Sequence, residues 1–104
     1  MQVRGEKVSA KAYVIVRASI TDPEAYEEYK QHSGPAVVRY GGRFLARGGL
    51  LETLEGKTET GRVVLIEFPD LEAARCWYNS PEYQQAISLR KDAADAQFVL
   101  LEGS

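Results

Sequence analysis

Short, densely apolar runs alternate along the chain with segments whose apolar residues recur every three to four positions. Residues Lys11 to Ser19 (KAYVIVRAS) are rich in β-branched and aromatic types and predict a strand covered on both faces. Thr21-Asp22-Pro23-Glu24 then supplies a cap and a first-turn proline, and Tyr26, Tyr29 and Lys30 continue with helical spacing. Ser33-Gly34-Pro35 is expected to interrupt this helix, with a shorter helical piece over Ala36 to Tyr40 and a stop at Gly41-Gly42. Arg43 to Arg47 (RFLAR) predicts a second strand, bent or bulged at Gly48-Gly49 and resuming through Leu50 to Leu54. A polar turn region follows to Gly61, and Arg62 to Phe68 (RVVLIEF) is the clearest strand in the chain, stopped by Pro69. Asp70 caps a helix with Leu71, Ala74 and Tyr78 along its apolar face. Ser80-Pro81-Glu82 repeats the cap-plus-proline signature and opens another helix, its stripe being Tyr83, Ile87 and Ala94. Gln97 to Leu101 (QFVLL) is the last strand.

The order strand, helix, strand, strand, helix in two pieces, strand is that of an α+β domain of the ferredoxin-like βαββαβ kind, with an antiparallel sheet and the helices on one face. Within it, the crossovers are expected to set the first and third strands side by side and parallel at the centre. Both faces of these two strands are apolar: Tyr13 and Ile15 alternate with Val14 and Val16, and Val63 and Leu65 alternate with Val64 and Ile66. The face without helices therefore needs a cover, and a second copy of the same sheet is the simplest one, giving a sheet-to-sheet homodimer.

Length and composition narrow this picture. A chain of 104 residues holds one domain, expected over residues 11–104, behind a flexible N-terminal arm over 1–10. A net charge of −2, with 13 Lys and Arg scattered along the chain, argues against nucleic acid as a partner. The first ten residues lack the apolar core of a signal peptide and no stretch reaches the length of a membrane span, so a cytoplasmic protein without membrane contact is expected. The single cysteine, Cys76, forms no internal disulfide and suits a reducing compartment; inside a helix beside Trp77 it reads as a packed, inert thiol.

Four motifs, YGGRFLARGG (Tyr40 to Gly49), LEG (Leu54 to Gly56), IEFPD (Ile66 to Asp70) and WYNSPEY (Trp77 to Tyr83), resemble the bacterial family called domain of unknown function 1330, in order from about Ala12 to Gly103. The resemblance implies membership of the dimeric α+β barrel superfamily, in which two ferredoxin-like sheets pack face to face. It implies no settled activity. The wider superfamily includes cofactor-free monooxygenases, haem-degrading enzymes, muconolactone isomerases and chlorite dismutases, all using the cleft between sheet and helices, so fold alone does not fix function.

Several residues interrupt the apolar pattern with charge. Arg17 and Glu67 each lie late in a central strand, where a charge is costly unless paired. They read either as a cleft carboxylate acting as general base beside an arginine that tunes it or grips an anion, or as a structural ion pair. Arg43 and Arg47 alternate with Phe44 and Ala46, which would point both to one face, and Arg47 beside the glycine bend would meet a substrate carboxylate or pair with Glu52, Glu55 or Glu67. Glu67 and Arg47 are thus the candidate catalytic pair. Tyr78 and Tyr83 flank the helix break as core-edge aromatics whose hydroxyls need partners, and Arg90, seven residues after Tyr83, leans toward the same region. With Arg17 these form the candidate substrate-binding set. Ser80 reads as an N-cap.

No metal or organic cofactor is expected: His32 is the only histidine and precedes a Ser-Gly-Pro break, and the paired glycines fit neither a dinucleotide fingerprint nor a P-loop. Three readings follow. The first is a cofactor-independent enzyme acting on a small oxygenated or anionic metabolite. The second is a non-catalytic small-ligand binder, and the third a dimerising module whose charges merely pair.

Overall fold

A computed structural model describes residues 10–104; the arm expected over 1–10 lies almost wholly outside the described residues. The chain runs β1 (Ala12–Ile20), α1 (Pro23–Arg39), β2 (Arg43–Arg47), β3 (Arg62–Phe68), α2 (Leu71–Tyr78), α3 (Pro81–Arg90) and β4 (Ala94–Glu102). The helix starts are where the sequence puts them: the side chains of Asp22, Asp70 and Ser80 accept hydrogen bonds from the backbone N–H groups of Ala25, Ala73 and Tyr83. Pro23 and Pro81 occupy first-turn positions, where a missing N–H costs nothing.

Pro35 does not break α1. The buried stripe Tyr26, Tyr29, Ser33, Ala36 and Val37 runs along both sides of it. Packing of that stripe on the sheet offsets the roughly 3 kcal/mol a mid-helix proline costs.

The sheet order is β2-β3-β1-β4 and every neighbouring pair is antiparallel. The first and third strands are adjacent as expected, but they are antiparallel, not parallel. The parallel relation belongs to β1 and β2, which both run against the β3 strand between them. Each crossover skips one strand position, so the strand that fills the gap must run the other way. Residues 50–54 form no strand, and the register shift sits between Phe44 and Ala46 rather than at Gly48-Gly49. Ala94 opens β4 instead of extending the stripe of α3.

The core lies on the helix side. Ala12, Val14, Val16 and Ala18 of β1 and Val64, Ile66 and Phe68 of β3 are buried there with Tyr26, Val37, Trp77 and Tyr83. The alternate residues Tyr13, Ile15, Val63 and Leu65 face the other way and remain half-buried, with Val99 and Leu101 beside them.

Candidate functional site

An aromatic cluster fills the space between sheet and helices. Trp77 of α2 lies 4.4 Å from the Tyr83 ring and 5.1 Å from that of Phe68, while Tyr29 meets Tyr26 at 5.2 Å. The hydroxyls of Tyr29 and Tyr83 share a hydrogen bond of 2.6 Å. Burial drives the Tyr83 phenol far above its ordinary range, with Tyr29 adding to the effect and the Arg90 guanidinium opposing it. Burial also raises Tyr26, against a weaker pull from Arg62. Both phenols therefore stay protonated at neutral pH and serve as hydrogen-bonding groups, not bases.

Cations collect at one end of this cluster because of a bulge. Phe44 pairs with Ile66 and Arg47 with Val64, so Leu45 is the extra residue and Arg47 is moved onto the helix side with Phe44. Its guanidinium stacks 4.0 Å above the Phe44 ring and lies against Gly34 of α1. Arg62 sits opposite Ala18 and alternates with the buried Val64, so it points the same way. Gly48, at φ +72°, leaves the space that the Arg62 guanidinium fills, since a Cβ there would come within 2.3 Å of it. Lys30 of α1 completes the set and holds Glu27 at 2.8 Å, which depresses the Glu27 carboxyl.

These three cations line a solvent-facing recess with Glu27 and Gln31, and Lys30, Arg47 and Arg62 continue inward to a cleft lined by Tyr26, Tyr29, Trp77 and Phe98. The enclosed part measures about 20 Å³, room for roughly one water. A larger guest must displace the side chains at the mouth. Three buried side-chain atoms have no hydrogen-bond partner among the described residues: Arg62 Nε, Trp77 Nε1 and Arg90 Nε. All three are donors, so what satisfies them must offer acceptors.

The expected Arg17–Glu67 pair does not form. In the antiparallel register Arg17 faces Val63 and Glu67 faces Tyr13, at opposite ends of the strands and on the side away from the helices. Arg17 Nε instead meets Glu59 at 3.3 Å, and Arg43 Nε donates to Glu67 Oε1 at 2.8 Å. That bond depresses the Glu67 carboxyl and raises Arg43. The bulge also separates Arg43 from Arg47, which strict alternation would have put on one face. Of the other candidates, Tyr83 is fully buried in the cluster, and Arg90 lies 4.7 Å above Phe98 and 5.6 Å from Tyr29. Tyr78 is partly exposed and lines a separate groove with Arg75, Phe98 and Leu100. Arg47, Tyr83 and Arg90 thus share the helix-side space, whereas Glu67 and Arg17 do not.

Lys30, Arg62 and Trp77 also line this space, beyond the candidates that the sequence pattern marks. The signal for Arg62 was available, because it falls in phase with Val64, Ile66 and Phe68 on the apolar face of its strand. Cys76 is exposed rather than packed, and His32 Nδ1 lies 3.1 Å from the Glu28 carbonyl oxygen on the outside of α1. Among the described residues no group of three or more His, Cys, Asp or Glu side chains gathers as metal ligands.

The model of the family described as "Domain of unknown function (DUF1330)" matches residues 11–104. The chain belongs to the DUF1330 family. No curated protein matches the sequence. Among solved structures, this DUF1330 chain is similar to a protein of unknown function from Rhodopseudomonas palustris (24% identity, TM-score 0.77, covering 92% of this chain and 84% of that one). It is also similar to SnoaB, a cofactor-independent oxygenase from Streptomyces nogalater (15% identity, TM-score 0.68, 92% and 95% covered). A dimeric ferredoxin-like protein of unknown function from Thermobifida fusca aligns with 15% identity and TM-score 0.61, over 90% of this chain and 92% of that one. At these identities the likeness is one of fold, and it establishes the ferredoxin-like class for the DUF1330 chain. Among the described residues no helix is long and apolar enough to cross a membrane.

Proposed function

We propose that this DUF1330 protein binds a compact, anionic, oxygen-rich metabolite in the cleft between sheet and helices and needs no metal or organic cofactor to do so. The observation that carries the reading is the convergence of Arg47, Arg62 and Lys30, from three different elements, at the mouth of an aromatic cleft whose unpartnered atoms are all donors. A carboxylate or enolate meets the guanidinium groups while its apolar body stacks on the aromatic rings. Among the described residues the cleft offers cations and protonated phenols but no free carboxylate or histidine, since Glu27 is engaged by Lys30. Its chemistry is accordingly polarisation of an anionic oxygen rather than general-base proton abstraction. The described cofactor-independent activity of SnoaB is compatible with such a site. The lack of a free base and the small enclosed volume favour a second reading, a binder without turnover.

The single tryptophan makes the test direct, because Trp77 lines the cleft and no other residue emits like it. Small aromatic and 2-oxo carboxylates are compared with their neutral amides by Trp emission and thermal shift. The reading expects the acids to bind and stabilise, the amides not to, and Arg62→Met to abolish the difference while Arg43→Met keeps it. Equal response to acid and amide, or loss in Arg43→Met, would sink it. Ligand consumption in air without additives then separates enzyme from binder.

The protein is also read as a homodimer joined through the sheet face that carries no helices. An apolar row of Tyr13, Ile15, Leu65, Val99 and Leu101 lies on that face, and the Thermobifida fusca neighbour is described as dimeric. The exposed, unpaired Cys76 suits a reducing, cytoplasmic setting. Sedimentation equilibrium tests the dimer, and a monomer at the highest concentrations would remove it.

A further inference from the structure

The cleft runs across the sheet from one edge strand to the other. Arg47 of β2 pairs with Val64 of β3, Val64 with Val16 of β1, and Val16 with Phe98 of β4, so the four form one row, and all four line the cleft. At a strand spacing of about 4.8 Å the row is roughly 14 Å long. A guanidinium stands at each end of it. Arg47 lies 4.0 Å from the Phe44 ring at the β2 end, and Arg90 lies 4.7 Å from the Phe98 ring at the β4 end.

The β2 end holds the cations already described, whereas the β4 end holds donors with nothing to donate to. Trp77 packs 4.4 Å from the Tyr83 ring and 6.5 Å from that of Phe98. It is 1% exposed, yet its Nε1 has no hydrogen-bond partner among the described residues, and neither has the buried Nε of Arg90. Arg90 forms no ion pair among them either. Proton counting adds a third donor. A phenol carries one O–H, so the Tyr29 and Tyr83 hydroxyls hold two protons; the 2.6 Å bond between them uses one, and the described residues offer no acceptor for the other. Each buried donor left unpaired costs about 1–3 kcal/mol, which a single acceptor placed among them would relieve.

We propose that the ligand of this cleft is an elongated keto acid or diacid with oxygen at both ends. Its carboxylate meets Arg47, Arg62 and Lys30, its apolar middle lies along Val64 and Val16, and its second oxygen accepts from Arg90, Trp77 and the Tyr29–Tyr83 pair. This rests on the anion-binding reading above and adds the far end, which decides which acids are taken. The enclosed space of about 20 Å³ is smaller than such a guest, so the arginines at the two ends, both of which reach solvent, swing aside as it enters. The rings between them stay packed.

The test compares 4-acetylbenzoate with 4-isopropenylbenzoate, which share shape and charge and differ by a carbonyl oxygen in place of a CH₂ group. Binding is measured by isothermal titration calorimetry to the wild type, Arg90→Met and Tyr29→Phe/Tyr83→Phe. The double variant removes both hydroxyls together and so leaves no phenolic donor stranded. The wild type should bind the acetyl compound at least about tenfold tighter, because a site built of donors rejects a guest that cannot accept. Both variants should bring that ratio close to one and keep the preference for each acid over its neutral amide, which the β2 end sets. A wild-type ratio near one, with both acids still bound, removes the far end and leaves the anion-binding reading standing; this comparison needs neither variant to fold. A ratio that survives in both variants removes the residues assigned to that end. Failure of either acid to bind the wild type removes the anion-binding reading and this proposal together.

Discussion

On the helix-covered side of the sheet, Arg47, Arg62 and Arg90 lie against aromatic rings, and two of their Nε atoms are buried without a partner. On the open side, Arg17 and Arg43 each hold a carboxylate, at 3.3 and 2.8 Å. Strand β2 supplies a member of each set, Arg47 to the first and Arg43 to the second. The open face pairs both of these arginines, which lowers the cost of laying another apolar sheet on it, because an unpaired charge buried at an interface costs several kcal/mol. In the cleft, Arg47, Arg62 and Arg90 form no ion pair among the described residues, as the proposed anion site requires, and only Lys30 is engaged, by Glu27.

The comparison is tested most severely at the aromatic cluster. Trp77→Ala should cost about 3–5 kcal/mol of folding stability by denaturant titration, since Trp77 packs on Phe68 and Tyr83 and is 1% exposed. A loss below about 1 kcal/mol would mean that the cleft is not part of the core. On the opposite face, Leu65→Asp should weaken self-association at least about tenfold while leaving the protomer folded, read by sedimentation and circular dichroism. Unfolding of the isolated protomer instead would show that this face is core and not interface.

Smaller effects separate the two kinds of charge. Tyr83→Phe removes the 2.6 Å bond to Tyr29 and should cost about 1 kcal/mol. Because burial raises the Tyr83 phenol above 10.0, the folded state keeps a proton that the unfolded state loses. Stability should therefore be fully present below pH 10 and decline above it, and Tyr83→Phe should flatten that decline in a Tm-against-pH series. Glu67 has the opposite sign. Its carboxyl is held below 4.5 by Arg43, so its contribution is present above that value and lost as pH falls through the depressed one. Glu67→Gln should flatten the acid limb slightly and leave ligand binding in the cleft unchanged; a loss of binding would return Glu67 to the site.

Much of the fold was legible locally. The caps Asp22, Asp70 and Ser80, the first-turn prolines and the strand Arg62–Phe68 stand where the residues put them, because each depends on groups within a few positions. The site was legible only in part. Arg47, Tyr83 and Arg90 do meet the helix-side space, but the pairing of Arg17 with Glu67 fails through strand direction, and the pairing of Arg43 with Arg47 fails through one extra residue at Leu45.

The sequence by itself determined where the three helices start, that Arg62–Phe68 is a strand, and that both faces of the central strands are apolar. These follow from periodicity and from hydrogen bonds that close over a few residues. Only the tertiary structure decided which charge meets which. In a sheet with a period of two, a reversal of strand direction or a single bulged residue sends a side chain to the other end or the other face. That is why Glu67 belongs to the open face with Arg43, and Arg47 to the cleft with Arg62.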